Sequence, residues 1–322
     1  MFYNKACAFS RGLFTSLTIY YAPFGGERRN DGMRIECVAH AAAQLGEGTL
    51  WDPDRGVVWW VDILSSAIHT HRIATGENRR QALSLRVTSL GLATDGGLIA
   101  SADPGFVRLN VADDLSVSVA RVVAPIVEPA GNRFNDGKVD ARGRFWAGTM
   151  DDSERAARGS LYRLDPTEVA TAIRGGFRVP NGPCFLADGT LLITDTPARE
   201  IIAITLDPHG QPLSERPFTR FGADQGYPDG MTVDAEDHVW VAFWDGWCVR
   251  RLSPSGSVVT EVTLPVQRPT CPSFAGDALT RMYVTSARTG LTESDLQSQP
   301  LAGGLLMLEL PVRGRPPSRF LG

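Results

Sequence analysis

The 322 residues contain no CxxC pair, no HExxH and no GxSxG. The five cysteines, Cys7, Cys37, Cys184, Cys248 and Cys271, are odd in number and far apart. This argues against a disulfide framework or a zinc ribbon and for a reducing, cytoplasmic setting. The histidines form no ligand pair; His69 and His71 alternate in a predicted strand and are expected on its surface. Without a GxSxG elbow or a plausible paired His, a serine-type esterase is disfavoured. Long apolar runs are also missing. The 15 uncharged residues between Arg11 and Glu27 are fewer than the ~20 apolar residues a membrane helix needs. Net charge is only -4, with Arg and Lys scattered, so neither nucleic acid nor an anionic membrane is suggested and the expected partner is small and uncharged. Helical periodicity is absent as well; RVVAPIVEPAG is interrupted by Pro125 and Pro129.

What is present describes a folded chain. Hydrophobic residues make up 43% and charged residues 21%, enough for a substantial core. The first 32 residues stand apart, with no acid before Glu27 and no alternation. A signal peptide fits poorly, because Arg11 interrupts the apolar run and no A-x-A site follows. We expect residues 1–32 to be an extension, with Met33 as an alternative start, and 33–322 to form one domain.

An Asp-containing turn followed by a short apolar or aromatic strand recurs six times: DPDRGVVWWVDI, TDGGLIASAD, DARGRFWAGT, ADGTLLITDT, DAEDHVWVAF and DALTRMYVTS. Their landmark acids Asp54, Asp95, Asp140, Asp188, Asp234 and Asp277 lie 41, 45, 48, 46 and 43 residues apart. A four-stranded propeller blade takes ~40–50 residues. A second alternating strand follows each copy and runs into a Gly, Pro or Asp turn, as a hairpin partner should. The prediction is all-β: a six-bladed β-propeller of four-stranded antiparallel blades. RIECVAH at 34–40 has no partner of its own and is expected to join the last blade, so that both chain ends close the ring. The seven tryptophans are assigned to the core. The tail PVRGRPPSRFLG reads as an edge strand with a flexible end.

Ahead of four landmarks stands a Gly-containing segment with an oxygen-bearing side chain: LGEG with Glu47, RFNDG with Asn135, PNG with Asn181 and PDG with Asp229, each five or seven residues before its landmark Asp. Equivalent loop positions of a propeller face one end of its channel, so these four residues should converge. Two carboxylates and two amides form a hard-oxygen set that suits Ca²⁺, Mg²⁺ or Mn²⁺. Any one of these segments alone is an ordinary turn.

Taken in order, LGEGTLW, NRFNDGKVDARGRFWAGTM, VPNGP, YPDGMTVDAEDHVWVA, PTCPSF and YVTSARTGL resemble the senescence-marker-protein, gluconolactonase and luciferin-regenerating-enzyme family, which includes regucalcin and bacterial aldonolactonases. The resemblance runs from residue 34 to about 310. It implies that Glu47, Asn181 and Asp229 ligate one divalent ion, among Ca²⁺, Zn²⁺, Mn²⁺, Mg²⁺ and Fe²⁺, and that Arg133 and Asn135 bind substrate, Asn135 close to the metal. The implied activity is hydrolysis of a sugar lactone such as gluconolactone or a pentonolactone. One departure stands out: some members carry a substrate-binding Glu where this chain has Ser153, a role that Asp151, Asp152 or Glu154 could take.

Lactone hydrolysis needs a polarised carbonyl, an activated water and support for the oxyanion. Asp229 is the candidate general base, because a ligand carboxylate lies within reach of a neighbouring water. Arg133 offers a fork of donors and Asn135 both a donor and an acceptor for sugar hydroxyls; the competing reading of Arg133 is an ion pair with Asp136. Cys184 and Tyr227 flank the PNG and PDG turns and could line the pocket. The alternative functions are a non-catalytic calcium-binding regulatory propeller and a metal-dependent hydrolase of another ester class.

Overall fold

A computed structural model describes residues 33–322. The predicted extension and Cys7 lie outside the described residues. Six sheets follow one another along the chain, each built on four antiparallel strands, and the second gains a short fifth strand from the C-terminal tail. Their first strands, Gly46–Asp52, Val87–Ala93, Asn132–Val139, Pro180–Phe185, Tyr227–Val233 and Pro269–Ala275, each contact the first strand of the blade before and the blade after. The ring closes where Gly46–Asp52 meets Pro269–Ala275. These six strands therefore line the central shaft. Ile35–Ala39 pairs antiparallel with Leu305–Glu309 and supplies the outermost strand of the sixth blade, so both chain ends share one sheet, as expected. No edge is left for the ring to open along.

The repeated acid has a structural task. Asp140 accepts the backbone N–H groups of Arg142 and Arg144 and the indole N–H of Trp146. Asp234 does the same with Glu236, His238 and Trp240. In the first blade this place belongs to Asp52, which takes Asp54 N, Arg55 N and the Trp59 indole, and not to the expected landmark Asp54. One buried carboxylate thus satisfies a turn and anchors the large aromatic between blades. Trp51, Trp59, Trp60, Trp146 and Trp240 are core residues. Trp244 and Trp247 depart from the expectation: Trp244 is half-buried beneath the Arg268 guanidinium, and Trp247 is 37% exposed.

His69 and His71 are also not surface residues. Both are buried; His69 stacks on Trp60 with ring centroids 3.9 Å apart, and its Nε2 has no partner among the described residues. They face inward because a wide blade buries both sides of its middle strands against neighbouring blades. Burial lowers the His69 pKa from 6.5 to about 4, with Asp62 pulling up and Arg80 adding to the fall. An unfolded chain then takes up a proton that the folded one refuses, so this contribution to stability is complete above 6.5 and is lost as pH falls toward about 4. Melting curves across that range should show Tm falling on acidification, with a shallower fall in His69→Gln; parallel curves would remove His69 as the cause.

The C-terminal tail is not a flexible end. After Leu305–Glu309 it crosses the end of the ring opposite the one described below and touches every blade. Gly314 bridges Asp234 and its N–H donates to Leu279 O. Arg315 reaches Asp237 and the Phe185 carbonyl, and Arg319 pairs with Asp54. Arg319–Phe320 adds a short parallel strand beside Leu92 and Ala93, and Leu321 N donates to Gly143 O. Phe320 is fully buried among Ala93, Ile99, Phe106 and Phe145.

Candidate metal and substrate site

Each innermost strand carries an irregularity near its start. Glu47 pairs with Val61 but Leu50 with Trp59; Asn181 with Thr194 but Cys184 with Leu192; Phe134 with Thr149 but Gly137 with Ala147; Pro228 with Phe243 but Met231 with Val241. In each case three steps on the inner strand face two on its partner, which is a β-bulge. Bulges turn a strand and re-aim its side chains, here toward the axis. Glu47, Asn135, Asn181 and Asp229 all sit at these bulges. Gly48 and Gly182, with φ of +61° and +75°, follow two of them. Gly182 has a second constraint: a Cβ there would stand 3.1 Å from Met231 N, tight against the backbone of the neighbouring blade.

The four residues are buried at one mouth of the shaft, with Glu47 and Asp229 each 4% exposed. Arg133 Nη1 donates to Asn135 Oδ1 at 2.7 Å, and Asn135 Nδ2 donates to Asn181 Oδ1 at 2.7 Å and to Pro180 O at 3.0 Å. The two acids make few contacts. Among the described residues Glu47 Oε2 accepts the N–H of Gly48, and Asp229 Oδ1 is buried with no partner. Burial, then the charges of Asp229 and Asp136, hold the Glu47 carboxyl well above its usual range; burial, then Asp136 and Glu154, do the same for Asp229. Among the described residues no three His, Cys, Asp or Glu side chains form a metal cluster by themselves. What gathers here is an acid pair completed by amides.

Asp136 is a component that the sequence reading set aside as an ion-pair partner for Arg133. Its oxygens instead accept Gly137 N and Gly182 N, tying the third blade to the fourth. Just below, Lys138 donates from Nζ to the Met231 carbonyl, and its charge offsets the burial of Asp136. Arg133 pairs with Asp152, 2.6 Å from Nε, while Arg86 holds the other Asp152 oxygen at 2.8 Å and also pairs with Asp103. Nothing in the local sequence announces Arg86, which lies 66 residues from Asp152.

Ser153 is turned away, its hydroxyl 2.9 Å from both oxygens of Asp151. Asp151 is committed further to Ala156 N and Arg158. Glu154 has a left-handed backbone at φ +56° and bears electrostatically on both Arg133 and Asp229. Tyr227 is half-buried under the Arg199 guanidinium, 3.9 Å from its ring centroid. Cys184 is buried, which pushes its thiol up to about 12 and leaves it a space-filling group rather than a nucleophile.

A six-bladed propeller with acids and amides gathered at one mouth defines the class, and comparison with known proteins places it. Residues 45–288 match the SMP-30/Gluconolactonase/LRE-like region, and the chain belongs to this family. It is 34% identical to regucalcin of Oryctolagus cuniculus over 90% of this chain and 99% of that protein. It is 32% identical to the 6-deoxy-6-sulfogluconolactonase of Pseudomonas putida, over 89% of this chain and 99% of that one. A pentonolactonase of Haloferax volcanii is also 32% identical, over 89% and 98%. Among solved structures, the calcium-binding protein regucalcin of Agrobacterium tumefaciens superposes with a TM-score of 0.83 at 29% identity, over 88% of this chain and 96% of that one. The family thus holds both sugar lactonases and proteins described as calcium-binding. Among the described residues no helix is long and apolar enough to cross a membrane.

Proposed function

We propose that this protein is a metal-dependent hydrolase that opens a sugar lactone to the aldonic acid, with Glu47, Asn181 and Asp229 holding one divalent cation. The observation that carries this reading is the buried pair Glu47 and Asp229. Two carboxylates at 4% exposure, both held above their usual range by burial and neighbouring acids, with one oxygen that has no partner among the described residues, fit a site whose stabilising charge comes from a bound cation. The all-oxygen donor set suits a hard ion such as Ca²⁺ or Mn²⁺. When bound, such an ion supplies Lewis-acid polarisation of the lactone carbonyl and balances the two carboxylates.

The remaining work falls to the chain. Arg133 and Asn135 orient the sugar through its hydroxyls and ring oxygen. Glu154 supplies an acceptor in place of the Glu missing at Ser153, since Asp151 is already committed and both oxygens of Asp152 are paired with Arg133 and Arg86. Asp229 takes the proton of the attacking water at Oδ1, the atom that lacks a partner. A reducing, cytoplasmic setting goes with this reading, because Cys37, Cys184 and Cys271 take part in no disulfide among the described residues.

The test is hydrolysis of pentono- and hexonolactones, including one with an anionic substituent, by metal-stripped protein with each divalent cation added back. Turnover restored by metal is the expected outcome and identifies the sugar. Tight metal binding with no turnover on any lactone or simple ester would overturn the reading in favour of a calcium-binding regulatory propeller.

A further inference from the structure

Past the expected site residues, the hydrogen bonds continue in one direction. Asn181 Nδ2 donates to Thr196 Oγ1 at 2.9 Å, and Thr196 Oγ1 donates to the Pro228 carbonyl at 2.8 Å, one residue before Asp229. The chain therefore reads Arg133, Asn135, Asn181, Thr196, Pro228, spanning the third, fourth and fifth blades. Both ends have fixed polarity: a guanidinium can only donate and a backbone carbonyl can only accept. Every amide and hydroxyl between them is forced into one orientation. Thr196 has a single proton, which Pro228 takes, so it must accept from Asn181. The amide of Asn181 accordingly keeps Nδ2 on Thr196 and turns Oδ1 the other way, leaving that oxygen a lone pair beyond the one Asn135 uses. Reversing the amide would set two N–H₂ groups against each other at the 2.7 Å contact with Asn135.

We propose that Thr196 is a positioning residue: its hydroxyl sets which end of the Asn181 amide faces the cation, and ties that amide to the strand bearing Asp229. This rests on the reading of Asn181 as a ligand. Thr196 is assigned to act through the Asn181 amide and not on substrate or reacting atoms. Its neighbours support the role, since Thr196 N is held by Val179 O and Arg199 N donates to Thr196 O, which fixes the short turn Thr196–Ala198 over the site. Groups that orient metal ligands typically change affinity by ~10–100-fold when removed.

The experiment is calorimetric titration of Ca²⁺ and Mn²⁺ into metal-stripped full-length wild type, Thr196→Val, Thr196→Ala and Thr196→Ser, with melting temperature in chelator measured alongside. Thr196→Val keeps the shape and removes the hydroxyl; its metal Kd should rise ~10–100-fold. Thr196→Ala covers the case in which the added methyl is not accommodated, and should weaken binding equally. Thr196→Ser should return to within ~3-fold of wild type, a rescue that a purely space-filling role would not produce. Wild-type affinity in both hydroxyl-free variants, or a serine variant as weak as the valine one, would overturn the proposal while leaving the lactonase reading intact. A wild type that binds metal but opens no lactone would overturn the lactonase reading while the affinities still test Thr196.

Discussion

Asp229→Ala should lose metal-restored lactone turnover by on the order of 10³-fold or more, because one substitution removes a ligand carboxylate and the proton acceptor together. Asp229→Asn separates the two roles. It keeps an oxygen donor and loses the base, so metal binding should weaken moderately while kcat collapses; an Asn variant that binds metal and turns over like wild type would remove Asp229 from the base role. The same variant should have the opposite effect on stability without metal. Glu47 is held up by burial and by the charges of Asp229 and Asp136, and Asp229 by burial and by Asp136 and Glu154, so taking away one charge of this buried acidic group relieves repulsion. In chelator Asp229→Asn should therefore be more stable than wild type by ~1–2 kcal/mol, the usual sign for a strained functional site. Glu47→Gln should show the same pair of effects. Loss of stability in chelator for both variants would mean that the two acids do not repel each other in the folded state.

The second large effect is expected far from the site. Phe320→Ala should cost ~3–5 kcal/mol, the ordinary range for emptying a fully buried aromatic position. At ~2 °C per kcal/mol for a chain of this size, Tm should fall by roughly 6–10 °C. Removing residues 311–322 should cost more, since the contacts of Arg315 and Arg319 with Asp237 and Asp54 and the Gly314 bridge go with the ring of Phe320. Metal affinity should stay close to wild type in Phe320→Ala, because the tail closes the opposite end of the shaft. A Tm change under a degree or two would show that the tail covers the ring without stabilising it.

The tail also marks where sequence reading runs out. PVRGRPPSRFLG has the composition of a loose end, and only the meeting of Phe320 with a pocket made by the second and third blades makes it a part of the core. His69 and His71 mislead in the same way: their alternation identifies a strand, but it does not say that a neighbouring blade covers that face. Trp244 and Trp247 fail in the other direction: Trp244 ends a repeated strand and Trp247 lies in the turn after it, where the blade meets the open mouth.

Recurrence every 41 to 48 residues determined the propeller, because each repeat is a unit that can bury its faces only against its neighbours. The lone strand at the N-terminus determined how the ring closes. The Gly-flanked acids and amides likewise showed which residues share an end of the channel, since strands of one topology deliver equivalent positions to one place. Their contacts were decided by tertiary structure alone. Arg86 and Asp152 meet across 66 residues, Asn135 and Asn181 across 46, and Thr196 and Pro228 across 32. Local spacing carries no signal for pairs that only ring closure brings within hydrogen-bonding distance, and the bulges that aim them depend on strand pairing that a single segment does not encode.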